Sequence, residues 1–163
     1  MAASPHPLPV RRSGRVLVVD AAARVLLFQV NVSDPYAAGI WLTPGGGIED
    51  GEDGRSAAAR ELGEETGLIV DPVDLVGPVW WREYRGDVAV SDETFFLLRI
   101  GVHDVDMAGI TEWERTALAG YRWWPICELA LATSEVFAPR RIGELLPALL
   151  TQQWSGPPIE VGV

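Results

Sequence analysis

A single cysteine, Cys127, stands among the 163 residues of this chain. One thiol excludes an internal disulfide and any metal site built from cysteines alone. It reads most simply as a small buried apolar residue in a reducing compartment. Long apolar runs are absent too, and no stretch could span a bilayer. Residues 1–13 hold three prolines and two arginines but no apolar segment, which argues against a secretory signal. Arg15 and Asp20 spoil a twin-arginine reading of Arg11 and Arg12, so the expected compartment is the cytoplasm. Positive charge is scarce: 13 Lys and Arg face 23 Asp and Glu, for a net charge of −10. Such a field argues against non-specific binding to a DNA or RNA backbone. It does not exclude a nucleotide whose phosphates enter with a metal ion. Repeats, low-complexity tracts and linkers are also missing. The length suits one domain, and an apolar share of 48% makes it globular.

The rest of the chain is organised around Gly46 to Leu68, where a glycine-rich turn leads into a helix with three glutamates close together. Asp53 or Gly54 can serve as N-cap. The residues from Ser56 to Leu62 are good helix formers without proline, and Gly67 suits a C-terminus that needs φ > 0. Glu61, Glu64 and Glu65 sit at i, i+3 and i+4, within roughly 100° of arc. Like charges at this spacing cost a few tenths of a kcal/mol per pair. Arg60 is the nearest offset; a divalent cation is the other, since carboxylates are preferred ligands of Mg²⁺ and Mn²⁺. The plain alternative is a solvated acidic face. Glu49 to Glu65 carries seven acids and two arginines, half of the net charge.

At these residues the sequence resembles the Nudix hydrolase family. The family's box falls on Gly46, Glu52, Arg60, Glu61, Leu62, Glu64, Glu65, Gly67 and Leu68 with every spacing met. Nine specified positions over 23 residues make a strong motif, although it covers only about a seventh of the chain. Weaker resemblance flanks it at Trp41 to Gly47 and at Arg122-Trp123-Trp124 with Glu128-Leu129. The resemblance implies an α/β/α sandwich around a mixed β-sheet. It also implies Mg²⁺ or Mn²⁺ held by Glu61, Glu64, Glu65 and the carbonyl of Gly46, an outer role for Glu52, and Arg60 orienting a carboxylate. The bland reading of Arg60 is a surface pair with Glu64.

In chain order, residues 1–13 are expected to be a loose arm, 14–152 one domain and 153–163 an irregular tail. Gly14–Asp20 and Arg24–Val30 read as a hairpin and Ser33–Gly39 as a loop bordering the site. A short strand at Trp41–Thr43 delivers the glycine turn. Pro78–Tyr84 and the run after Val88 make a second hairpin turning at Arg85–Asp87. Thr94–Val102 is apolar enough to be covered on both faces. Because neighbouring strand residues face opposite sides, one of Trp80 and Trp81 and one of Phe95 and Phe96 can face the site. Trp81 and Phe96 are the candidates for stacking a base, and Arg82 and Arg85 for contacting phosphate. Asp104–Gly120 reads as an irregular connection. The family often draws a further acid from there as metal ligand or base; Glu114 is the candidate, with Glu112 and Glu93 in reserve. A strand at Tyr121–Trp124, a short helix at Pro125–Ala132 and an amphipathic helix at Arg140–Gln152 close the domain.

The implied chemistry is metal-assisted hydrolysis of a phosphoanhydride in a nucleoside diphosphate linked to another moiety. Nucleoside triphosphates (oxidised ones included), ADP-ribose, nucleotide sugars, dinucleoside polyphosphates and capped RNA ends belong to that class, and the charge makes long RNA the least favoured. Glu64, Glu65 or Glu114 can serve as base. The runner-up is a nucleotide-sensing module that kept the fold without catalysis, which the complete box disfavours. A calcium-binding surface is disfavoured because calcium loops interleave their ligands along a turn. The family is often dimeric, and nothing in the sequence locates an interface.

Overall fold

The computed structural model describes residues 7–31 and 39–163. The chain runs β1 (Val10–Val19), β2 (Arg24–Val30), β3 (Ile40–Leu42), β4 (Gly45–Gly47), α1 (Gly54–Thr66), β5 (Val76–Arg85), β6 (Val90–Arg99), α2 (Glu112–Ala117), β7 (Leu118–Pro125), α3 (Ile126–Leu129), β8 (Val136–Ala138), α4 (Ile142–Leu150) and β9 (Ile159–Glu160). The sheet order is β8-β3-β2-β1-β6-β5-β9, with β4 added to β1 and β7 to β2. β1 and β6 pair in parallel from Val10↔Val90 to Val19↔Arg99, and the β5–β6 hairpin is antiparallel. The sheet is therefore mixed.

Alternation along β1 and β6 sends side chains to two apolar layers. Val16, Val18, Phe96 and Leu98 meet Ala58 and Leu62 of α1 on one face. Leu17, Val19, Phe95 and Leu97 pack with Trp80, Trp124 and the Ile142, Leu146 and Leu149 stripe of α4 on the other. Helices on both faces make the expected α/β/α sandwich. The box helix lies close against β1. A Cβ on Gly14 would overlap the Gly54 carbonyl oxygen and stand 3.0 Å from the Ala58 nitrogen. Backbone meets backbone here, so no side chain fits at position 14.

Several expectations are corrected. β1 starts at Val10, inside the supposed loose arm, because β6 supplies a parallel ladder for the polar residues Arg11 to Ser13. The tail returns to the sheet as β9, parallel to β5, with the Val161 N–H on the Trp81 carbonyl at 3.0 Å and the Val161 side chain buried. The connection 104–120 contains α2, begun by a capping box of Thr111 and Glu114. β8, not anticipated, pairs in parallel with β3. Cys127 is exposed rather than buried, on the outer side of α3. The loop expected over 33–39 lies, save Gly39, outside the described residues. No helix among the described residues is long and apolar enough to cross a membrane.

Candidate active site

Local chemistry fixes α1 at both ends. The Asp53 carboxylate accepts the Ser56 N–H at 2.7 Å, and Gly67 closes the helix at φ 72° with its N–H on Gly63 O at 2.9 Å. Only a residue free of a Cβ penalty takes that φ readily. Ala58 and Leu62 anchor the helix on the sheet, so the glutamates at 61 and 65 turn toward the glycine strand β4. Glu65 is 7% exposed and accepts the Gly45 N–H at 2.8 Å. Gly46 lies against Glu61: a Cβ there would stand 2.8 Å from Oε2 of Glu61 and closer still to its Cδ.

One carboxylate oxygen each from Glu61, Glu65 and Glu114 lies within 4.8 Å of the others. They line a cavity of about 650 Å³ that also takes in Gly46, Arg15 and Trp113. Burial pushes Glu65 up to about 8 from an ordinary 4.5, against the opposing Gly45 hydrogen bond and the Arg15 charge, while Glu61 and Glu114 push it further. Burial also raises Glu61, and Arg60 opposes it. Crowded carboxylates that resist ionising are what a cation would relieve. The set therefore fits a hard divalent ion by donor type and spacing.

Arg60 is a hub rather than a single pair. Its Nε and Nη2 meet the two oxygens of Glu52 at 3.0 Å each, Nη1 meets Glu61 at 3.0 Å, and Nη2 donates to the Gly47 carbonyl at 2.9 Å. Those bonds hold Glu52 below its ordinary value and raise Arg60. Glu64 lies outside the gathered trio, with its side chain 45% exposed and 3.5 Å from Arg60.

The remaining candidates separate. Arg82 is buried and paired with Glu93, so it is not a free phosphate contact. Glu93 also takes Arg15 at 2.6 Å. Burial alone would raise Glu93, but the two arginines hold it below its ordinary value and occupy it, which leaves it unsuited to act as base. Phe96 is buried beneath α1, with the Arg55 guanidinium 4.9 Å from its ring, so it cannot stack a base. Trp81 and Arg85 are exposed, but neither lines the acidic cavity. Glu112 is exposed on α2 outside the trio. Two contributors went unsingled in the sequence: Arg15, which also donates to the Thr43 carbonyl at 3.0 Å, and Thr111. An arginine inside the apolar run of β1, and the Thr-x-x-Glu spacing before α2, were the available signals.

A family model, the NUDIX domain, matches residues 9–146. The chain belongs to the Nudix hydrolase family, and it is an enzyme of that class. Among curated relatives, the RNA pyrophosphohydrolase of Roseobacter denitrificans is 32% identical over 138 residues, covering 75% of this chain and 81% of the relative. That of Sphingopyxis alaskensis is 32% identical over 138 residues, covering 75% and 82%. Among solved structures, a MutT protein from Methanosarcina mazei superposes with a TM-score of 0.68 at 20% identity, covering 89% of this chain and 98% of that one. An Ap4A hydrolase from C. elegans gives 0.61 at 17%, covering 86% and 98%. At such identities the structures speak to fold.

Proposed function

We propose that the protein hydrolyses a phosphoanhydride bond in a nucleoside diphosphate linked to another moiety, with Mg²⁺ or Mn²⁺ as cofactor. The gathering of Glu61, Glu65 and Glu114 at one cavity carries this reading. These carboxylates, with the Gly46 carbonyl, would hold the ion. Glu64 would complete the set, since its exposed side chain is held only by a loose pair with Arg60. When bound, the ion would screen the diphosphate and activate water for attack on phosphorus. The chain's residues do the rest. Glu52 fixes the Arg60 fork, and Arg60 in turn fixes Glu61. The Gly45 N–H orients Glu65. Arg15 braces the cavity wall, its guanidinium committed to Glu93 and the Thr43 carbonyl. A carboxylate oxygen left free of the ion would take the water's proton, with Glu64, Glu65 and Glu114 as the candidates.

A second reading narrows the substrate to the 5′ end of RNA. Arg11 and Arg12 of β1 and the 75%-exposed Trp113 of α2 line the same cavity. Cations and an exposed indole at one rim suit phosphates and a stacked base, and the net charge of −10 does not describe that rim. The curated relatives' names agree.

The test is a panel of dGTP, 8-oxo-dGTP, ADP-ribose, a nucleotide sugar, a diadenosine polyphosphate and a 5′-triphosphorylated oligoribonucleotide, each with Mg²⁺ and Mn²⁺, with products identified. One class should be cleaved well above the others and lost with chelator or Glu65→Gln. Tight nucleotide binding without turnover would replace the hydrolase reading with the sensing module.

A further inference from the structure

Glu114 is engaged twice. Its Oε2 accepts both the Thr111 N–H and the Thr111 hydroxyl at 2.7 Å, while the Glu114 N–H donates to Thr111 Oγ1 at 3.2 Å. This reciprocal box starts α2. The same side chain brings an oxygen into the trio with Glu61 and Glu65. Its Oε1 accepts no hydrogen bond from the described residues. A glutamate on a solvent-facing helix has several rotatable bonds and would ordinarily sample many rotamers. Here two bonds to one oxygen remove that freedom.

We infer that Thr111 is a positioning residue for the metal site: its capping bonds hold the Glu114 carboxylate in the place where it meets Glu61 and Glu65. The inference rests on the reading of Glu114 as a ligand. It also makes α2 a coupling element. A cap that favours the ligand geometry is, by reciprocity, favoured by the ion. Trp113, one residue before Glu114, sits on the same turn and lines the same cavity.

The experiment measures Mn²⁺ binding to the full apo chain by calorimetry, for wild type, Thr111→Val, Thr111→Ser and Glu114→Gln. Outer partners of ligands typically contribute about 10–100-fold in metal affinity. The valine variant keeps the backbone N–H bond, so we expect a Kd about tenfold weaker, with the serine variant within about twofold of wild type. Amide exchange at Glu114 and Arg115 should slow on adding Mn²⁺ in wild type and lose much of that slowing in Thr111→Val. A weakened Glu114→Gln together with an unchanged Thr111→Val would overturn the inference and leave the ligand reading standing. Unchanged affinity in both would remove Glu114 from the site and the inference with it. Exchange read on the wild type alone decides the coupling even if the valine variant folds poorly: no slowing at these amides overturns it.

Discussion

Replacing Gly46 by alanine should separate folding from chemistry. Gly46 does not take a positive φ, so its backbone tolerates alanine. The added Cβ would sit 2.8 Å from Glu61 Oε2 and nearer to Cδ, where ordinary contacts lie at about 3.5–4.0 Å. The carboxylate is the far end of a flexible side chain, so it retreats by about 1 Å rather than moving the strand. An off-rotamer shift costs about 0.5–1.5 kcal/mol. Lower unfolded-state entropy returns about 0.4–1 kcal/mol. Urea unfolding of the apo protein should therefore change by about 1 kcal/mol or less. Displacing a ligand by about 1 Å can remove on the order of 100-fold in rate. The control is Gly47→Ala, whose Cβ would meet nothing within 4 Å and which should keep both stability and rate. The readouts are kcat on whichever substrate the panel identifies and Mn²⁺ Kd by calorimetry. If Gly46→Ala kept wild-type kcat and Kd, Glu61 would have no part in holding the ion.

Glu65 supplies a pH signature. The folded apo chain keeps this proton up to about 8, whereas the unfolded chain releases it near 4.5. Stability therefore falls as pH rises between those values, by on the order of 3–5 kcal/mol at most. Glu65→Gln should flatten the fall in urea midpoints from pH 5 to 8, and Mn²⁺ should stabilise the wild type more at pH 8 than at pH 6; equal slopes in both proteins would refute the assignment. Glu64→Gln should lose several orders of magnitude in rate at an unchanged melting temperature, and a rate near wild type would leave Glu64 as no more than a partner of Arg60. Glu93→Gln strands two inward arginines and should cost about 3–5 kcal/mol in chemical unfolding; a loss under 1 kcal/mol would mean that water already compensates them.

How far the sequence could be read depended on the range of the interactions involved. The span from Gly46 to Leu68 was legible because the caps at Asp53 and Gly67 and the i, i+3, i+4 acids are all local. The strands β1, β2, β5 and β6 announced themselves by composition and turns. Partnership across strands did not. Arg82 looked like a free cation because its partner lies 11 residues on, and only the register Arg82↔Glu93 shows that the two meet. Phe96 looked equivalent to Phe95 because alternation gives two faces but not which one the box helix covers. Arg11 to Ser13 joined a strand only because a neighbouring ladder was waiting. Glu114 was named from a family habit, and its meeting with Glu61 depends on the path from Gly67 through α2, which no local pattern encodes.

The backbone contact at Gly14 bears on how this protein can change over time. Side-chain interfaces drift as residues are exchanged, and a helix seated on them shifts with each exchange. Here the start of the box helix rests on the peptide groups of Gly14 and Gly54, which substitution elsewhere does not reshape. The apolar layers can accordingly accumulate exchanges that alter melting temperature while the clustered carboxylates of the candidate site keep their places. In this chain the seating of the box helix and the packing of the apolar layers are thus separately adjustable, with position 14 as the point where exchange would disturb both together.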